Sequence, residues 1–254
     1  MKKTLVALFG AVVLSSTAVQ AKDWDVVRLA VDVPYEPFEY RAPDGSLTGF
    51  EIDLGNAVCE EMQVKCEWIV QAWDGIIPGL LARKYDAIFS SMSINEERAK
   101  KVLFSEAYYN TPTGFFGPKA SEVDPYNPET LKGLRVGAQR GTIQDVYATE
   151  NYSSVAEIKR YTAGDDLVND LRGGRLDVVV LDYPVGVSTI IEADGGDAYK
   201  VLGDNVQLGE GVGVAARKRD TDLIEMFNKA LATVKENGVY DEINAKYFDY
   251  SIKK

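Results

Sequence analysis

The chain has 254 residues, 46% of them hydrophobic, which is enough for one large or two ordinary domains with a true core. It contains no histidine, which excludes Ser-His-Asp and Cys-His catalysis and every histidine-ligated metal site, and its two cysteines are too few for a thiolate zinc site. The net charge of -11 disfavours nucleic-acid phosphates and anionic membrane surfaces as partners and favours a small, cationic ligand.

Lys2 and Lys3 precede an apolar run from Leu5 to Leu14, and small and polar residues follow as far as Val19-Gln20-Ala21. This is the pattern of a secretory signal peptide, with cleavage expected after Ala21. As a membrane anchor the run is too short, since spanning takes ~20 apolar residues. No cysteine lies near the cleavage site to carry a lipid. In an oxidising compartment Cys59 and Cys66 read as a short-loop disulfide, the alternative being two buried thiols in a helix-to-strand turn.

Val26 to Val31 reads as a strand, Asp32 to Glu39 as a Pro-containing loop and Asp44-Gly45 as a turn. Phe50 to Met62 has the 3.6-residue period of a helix; Lys65 to Val70 is a strand, Gly75 to Ala82 a helix and Ala87 to Ser90 a buried strand. The pattern then restarts: strand Leu134 to Ala138, helix Thr142 to Thr149, strand Lys159 to Tyr161, helix Asp165 to Leu171 and strand Val178 to Leu181. Alternating strands and helices imply a mainly parallel sheet covered on both faces. The segment Leu80 to Ile88, with Arg83 and Asp86, is echoed 91 positions later by Leu171 to Val179, with Gly174 and Asp177. Two similar α/β lobes are the natural reading.

Several local motifs, in fixed order, together carry a resemblance. They are Asp32-Val33-Pro34-Tyr35-Glu36-Pro37-Phe38-Glu39, Gly49-Phe50-Glu51-Ile52-Asp53-Leu54, Trp73-Asp74-Gly75-Ile76-Ile77-Pro78, Asp86 to Ile94 with Arg98, Leu131 to Gly137, Gly141-Thr142, Leu181-Asp182 and Gly238-Val239-Tyr240. The series resembles the periplasmic solute-binding proteins of family 3, which serve polar amino-acid ABC transporters. It is most similar to the lysine/arginine/ornithine- and histidine-binding proteins, whose Cys-x6-Cys spacing is also reproduced. The resemblance implies a periplasmic-binding-protein type II fold, with two α/β lobes joined by a two-strand hinge. Lobe one would take residues 22–110 and 211–254, lobe two 111–210, with hinge strands near Tyr109 to Thr113 and Leu208 to Val212. It further implies a monomer without cofactor, metal or catalysis that delivers an amino acid to a membrane permease.

A free amino acid presents a carboxylate beside an ammonium, so its receptor needs a forked cation and an anion. Arg98 is the candidate for the carboxylate, helped by backbone N–H groups at Ser93 and at Ile143 beside Thr142. Asp182, just beyond a strand's carboxyl end, would take the ammonium, assisted by the Ser93 hydroxyl and the Ser91 carbonyl. Specificity falls to Asp32, which would pair with a charged side-chain end, to Tyr35 and Trp73 as an aromatic sandwich, and to Ser90 and Gln139. The blander readings are a solvated Arg98 between Glu96, Glu97, Lys100 and Lys101, an Asp182 in a turn before Tyr183-Pro184, a plain serine loop, and core aromatics. Two functional alternatives share the fold. One is an opine receptor, which Gln71 to Pro78 also resembles; the other is a cyclohexadienyl dehydratase-like enzyme, for which the sequence offers no evident general acid.

Overall fold

Val27, Leu29, Ala30 and Val31 are buried in β1 (Val26–Val31), which is paired on both edges. The computed structural model that shows this describes residues 24–254; the leader assigned to residues 1–21 lies outside them. Along the chain follow a small hairpin of β2 (Tyr40–Arg41) and β3 (Leu47–Thr48), α1 (Phe50–Glu61), β4 (Lys65–Val70), a 3-10 turn at Trp73–Gly75, α2 (Ile76–Leu81), β5 (Ala87–Ile88), α3 (Glu96–Ala99) and β6 (Leu103–Phe104). The chain then crosses to β7 (Thr113–Pro118), β8 (Arg135–Gln139), α4 (Ile143–Tyr152), β9 (Glu157–Tyr161), α5 (Gly164–Arg172), β10 (Val178–Asp182), α6 (Tyr183–Gly186) and β11 (Tyr199–Val201). It returns as β12 (Ala215–Ala216) and ends in α7 (Thr221–Glu236) and α8 (Val239–Tyr247).

Two five-stranded sheets result, ordered β4-β1-β5-β12-β6 and β11-β7-β10-β8-β9. The expectation of a mainly parallel sheet needs correction. β1 lies parallel to β4 and β5, and β8 parallel to β9 and β10, but β12 runs antiparallel to both its neighbours and β7 antiparallel to β10 and β11. The parallel pairs come from local strand-helix-strand units, whereas β7 opens the second sheet just after the crossing and β12 re-enters the first from it. The two crossing segments run side by side: Thr113 and Val206 exchange backbone bonds of 2.8 and 2.9 Å, and Val212 N–H donates to Tyr109 O at 2.9 Å. The side-chain amides of Asn110 and Gln207 also bond reciprocally, at 2.8 Å each way.

The echo in the sequence has a structural counterpart. Asp86 closes a turn onto β1, accepting from Arg28 Nε at 3.0 Å and from Arg28 N–H at 3.2 Å; Asp177 accepts from Arg135 Nε at 2.9 Å and from Arg135 N–H at 2.8 Å on β8. Arg83 and Gly174, equivalent in the repeat, both hold a left-handed backbone at φ 62° and 65°, which reverses the chain between helix end and strand. Cys59 of α1 and Cys66 of β4 form a disulfide across a Cα–Cα distance of 6.1 Å, tying the first helix to an edge strand.

Candidate functional site

Asp32 follows β1, Ser90 and Ser91 follow β5, Gln139 ends β8 and Asp182 ends β10, so the carboxyl ends of strands from both sheets converge. Together with Tyr35, Glu39, Trp73, Ser93, Arg98, Thr142 and Gln144 they line one cavity.

Arg98 is 7% exposed, although it sits in the run of charges around α3. Asn95 caps that short helix, its Oδ1 accepting from Arg98 N–H at 2.9 Å, and so turns the arginine inward. The guanidinium donates to Ser93 O at 2.8 Å and to Gly141 O at 3.3 Å, and lies 5.1 Å from the ring centroid of Trp73. Trp73 in turn donates to Gly141 O at 3.2 Å. Among the described residues Arg98 forms no ion pair. Burial pulls its pKa down to about 10, against the opposing pull of Asp182 and Tyr35.

Asp182 accepts from Tyr35 Oη at 2.5 Å, from Thr111 Oγ1 at 3.0 Å and from Gln144 Nε2 at 3.1 Å. Burial raises its pKa in spite of these donors and of Arg98. Asp32 accepts from Gln139 Nε2 at 2.7 Å, and its own N–H donates to Ser90 Oγ at 2.9 Å; burial pushes the carboxyl up to about 6 against the Gln139 bond. Thr142 caps α4, accepting from Asp145 N–H at 3.1 Å while donating to Gln139 O at 2.7 Å. Ile143 is the first residue of α4 but its side chain does not line the cavity. Tyr35 and Trp73 both line it, the first bonded to Asp182 and the second stacked over Arg98.

The sequence reading missed Glu39 and Gln144 in the lining, and Glu51 behind it. Ser90 and Ser91 hydroxyls donate to Glu39 at 2.8 and 3.0 Å. Glu51 receives Ser91 N–H at 2.7 Å and the hydroxyls of Tyr108 and Tyr109 at 2.8 Å. Both carboxyls are buried, so desolvation raises Glu39 well above the usual range and Glu51 to about 7. The network also holds Ser91 at φ 48°, a conformation rare for serine. Phe38 beside Glu39 and Phe50 beside Glu51 were the available signal, because an acid next to a core aromatic must find partners when it is carried inward.

Residues 27–250 match the model of the bacterial extracellular solute-binding proteins, family 3. The chain belongs to that family. The L-arginine-binding protein of Pseudomonas aeruginosa is 40% identical over 99% of this chain and 98% of its own length. The lysine/arginine/ornithine-binding periplasmic protein of Escherichia coli is 36% identical over 99% of each. Among solved structures, an ancestral arginine-binding protein bound to arginine superposes with a TM-score of 0.83 at 31% identity, covering 88% of this chain and 98% of that one. A periplasmic His/Glu/Gln/Arg/opine family-binding protein from Silicibacter pomeroyi in complex with lysine gives 0.80 at 30%, over 89% and 99%. As a family 3 member, the chain has the type II fold of periplasmic binding proteins, two α/β lobes about a two-strand hinge.

Proposed function

We propose that this protein is the periplasmic component of an ABC importer and that it binds a cationic L-amino acid (arginine, ornithine or lysine, with histidine in the same class). One observation carries the reading. Arg98, on α3 between two strands of the first sheet, and Asp182, at the end of β10 in the second, reach one cavity, both buried, and neither forms an ion pair among the described residues. Buried charges without an ion-pair partner are costly even when hydrogen-bonded, and a free amino acid supplies a counter-charge to each: carboxylate to Arg98, ammonium to Asp182. Backbone N–H groups at Ser93 and at the start of α4 complete the carboxylate grip. Asp32, in the lining of the same cavity, pairs with a cationic side chain, and the names of the relatives agree with that class.

Residues 22–110 with 211–254 form one jaw of the clamp and residues 111–210 the other. Ligand binds one jaw first, and its additional contacts with the other drive closure. The permease reads the closed surface of a monomer, and no bond is made or broken. The mature chain is screened by thermal shift against amino acids and opines: a cationic amino acid at 100 times its Kd raises stability by ~2.7 kcal/mol, the radius of gyration falls in solution scattering, and the ligand is recovered unchanged. Tight binding of glutamate or an uncharged amino acid, with none of arginine, ornithine or lysine, overturns the ligand class; a chemically altered ligand replaces the receptor with an enzyme.

A further inference from the structure

We propose that Gln139 makes the side-chain end of the cleft selective for a guanidinium over an ammonium, so that arginine is preferred within the cationic class; this rests on the amino-acid reading above. Gln139 is 4% exposed and its amide is fixed by two acceptors: Nε2 donates to Asp32 Oδ2 at 2.7 Å and to Thr162 O at 3.1 Å. A backbone carbonyl and a carboxylate both demand the nitrogen, so the orientation of the amide follows from the network. Its Oε1 receives no donor among the described residues and is not enclosed by protein, on a residue that lines the cavity. The Gln139 backbone is held as well, since its carbonyl accepts the Thr142 hydroxyl at 2.7 Å and β8 pairs it with Tyr161 of β9.

Two consequences favour the guanidinium. The hydrogen bond to Asp32 damps the concentrated negative charge on which a compact, strongly hydrated ammonium depends. The same side chain adds an acceptor beside that carboxylate, and a planar guanidinium has five N–H groups spread over three nitrogens to serve two separate acceptors together. An ammonium directs all three of its donors from one point. Gln139 belongs to β8 and Asp32 follows β1, so this paired acceptor is complete only when the two sheets are brought together.

The test is calorimetry of the mature protein and of Gln139→Met, which keeps the chain length without hydrogen bonding, with arginine, lysine and ornithine; Gln139→Leu serves as a second variant, and thermal unfolding verifies that each is folded. The wild type should bind arginine at least about tenfold more tightly than lysine or ornithine, and the variants should shrink that preference by about tenfold, the worth of one net hydrogen bond to a charged partner. An unchanged ratio with all affinities falling together makes Gln139 a general structural contact and overturns the inference, as does a wild type that prefers lysine or ornithine. Absence of binding to all three overturns the amino-acid class itself, a result distinct from an unaltered ratio.

Discussion

Tyr35 donates a 2.5 Å hydrogen bond to Asp182 across 147 positions of sequence and from one sheet's loop to the other sheet's strand end. The bond therefore exists only while the two strand ends are together, and it serves a carboxylate whose burial leaves it dependent on donors. Tyr35→Phe keeps the ring and removes the bond. We expect it to weaken arginine, lysine and ornithine by a common factor of about tenfold, in line with ~1.5 kcal/mol for a hydrogen bond to a charged group. If Tyr35 acted only by packing against the ligand side chain, phenylalanine would be neutral, and calorimetry separates the two.

Arg98→Ala and Asp182→Ala should each weaken every amino-acid ligand alike, because the function proposed above assigns them to the groups that all amino acids share. Removing one member of a buried charge pair leaves its partner uncompensated at a cost of ~2 to 5 kcal/mol, roughly 30-fold to several thousandfold in affinity. Wild-type affinity in either variant refutes the assigned role.

The buried acids set a pH dependence of stability for the ligand-free protein. Glu51 is raised to about 7 and Asp32 to about 6, so the folded state holds protons that the unfolded state has released above the ordinary carboxylate range. That contribution is complete below the unfolded values and is lost as pH rises through 6 and 7. The lowered pair-bonded Asp86 and Asp177 act in the opposite sense only at lower pH. The midpoint of thermal unfolding should therefore fall from pH 5 to pH 8, and Glu51→Gln, neutral throughout, should flatten the decline. A midpoint that rises over this interval contradicts the assignment.

The two repeated clamps should differ in worth. Asp86 is 7% exposed and also accepts from the buried Arg217 at 3.2 Å, whereas the Arg135–Asp177 pair is 37% and 30% exposed. Asp86→Asn, which weakens the bonds to Arg28 and Arg217 while Asp220 stays paired with Arg217, is expected to cost ~1.5 to 3 kcal/mol. Asp177→Asn should cost ~1 kcal/mol or less, because solvent and salt already screen the pair. Urea unfolding of both variants gives the comparison.

Reducing or deleting the Cys59–Cys66 bridge, as in Cys59→Ser with Cys66→Ser, frees a short loop and should lower stability by ~2 to 3 kcal/mol in the chain-entropy account. Ligand affinity should stay at the wild-type value, since neither cysteine lines the cleft.

The local elements were legible because they depend on neighbours in sequence. The apolar run of Val26–Val31, the helical period from Phe50 and the cysteine spacing each specify a piece of structure within a few positions of sequence, the Asp86/Asp177 echo marks one unit used twice, and the ordered motifs specify the family. The reversed strands β7 and β12, the bond from Tyr35 to Asp182 and the bond from Gln139 to Asp32 join positions whose meeting depends on how two separately built sheets are brought together by the crossing segments. Glu39 and Glu51 illustrate the same limit. In sequence they are acids in polar-looking loops and helix starts, and only packing against Ser90, Ser91, Tyr108 and Tyr109 carries them inward and supplies the donors that make their burial tolerable.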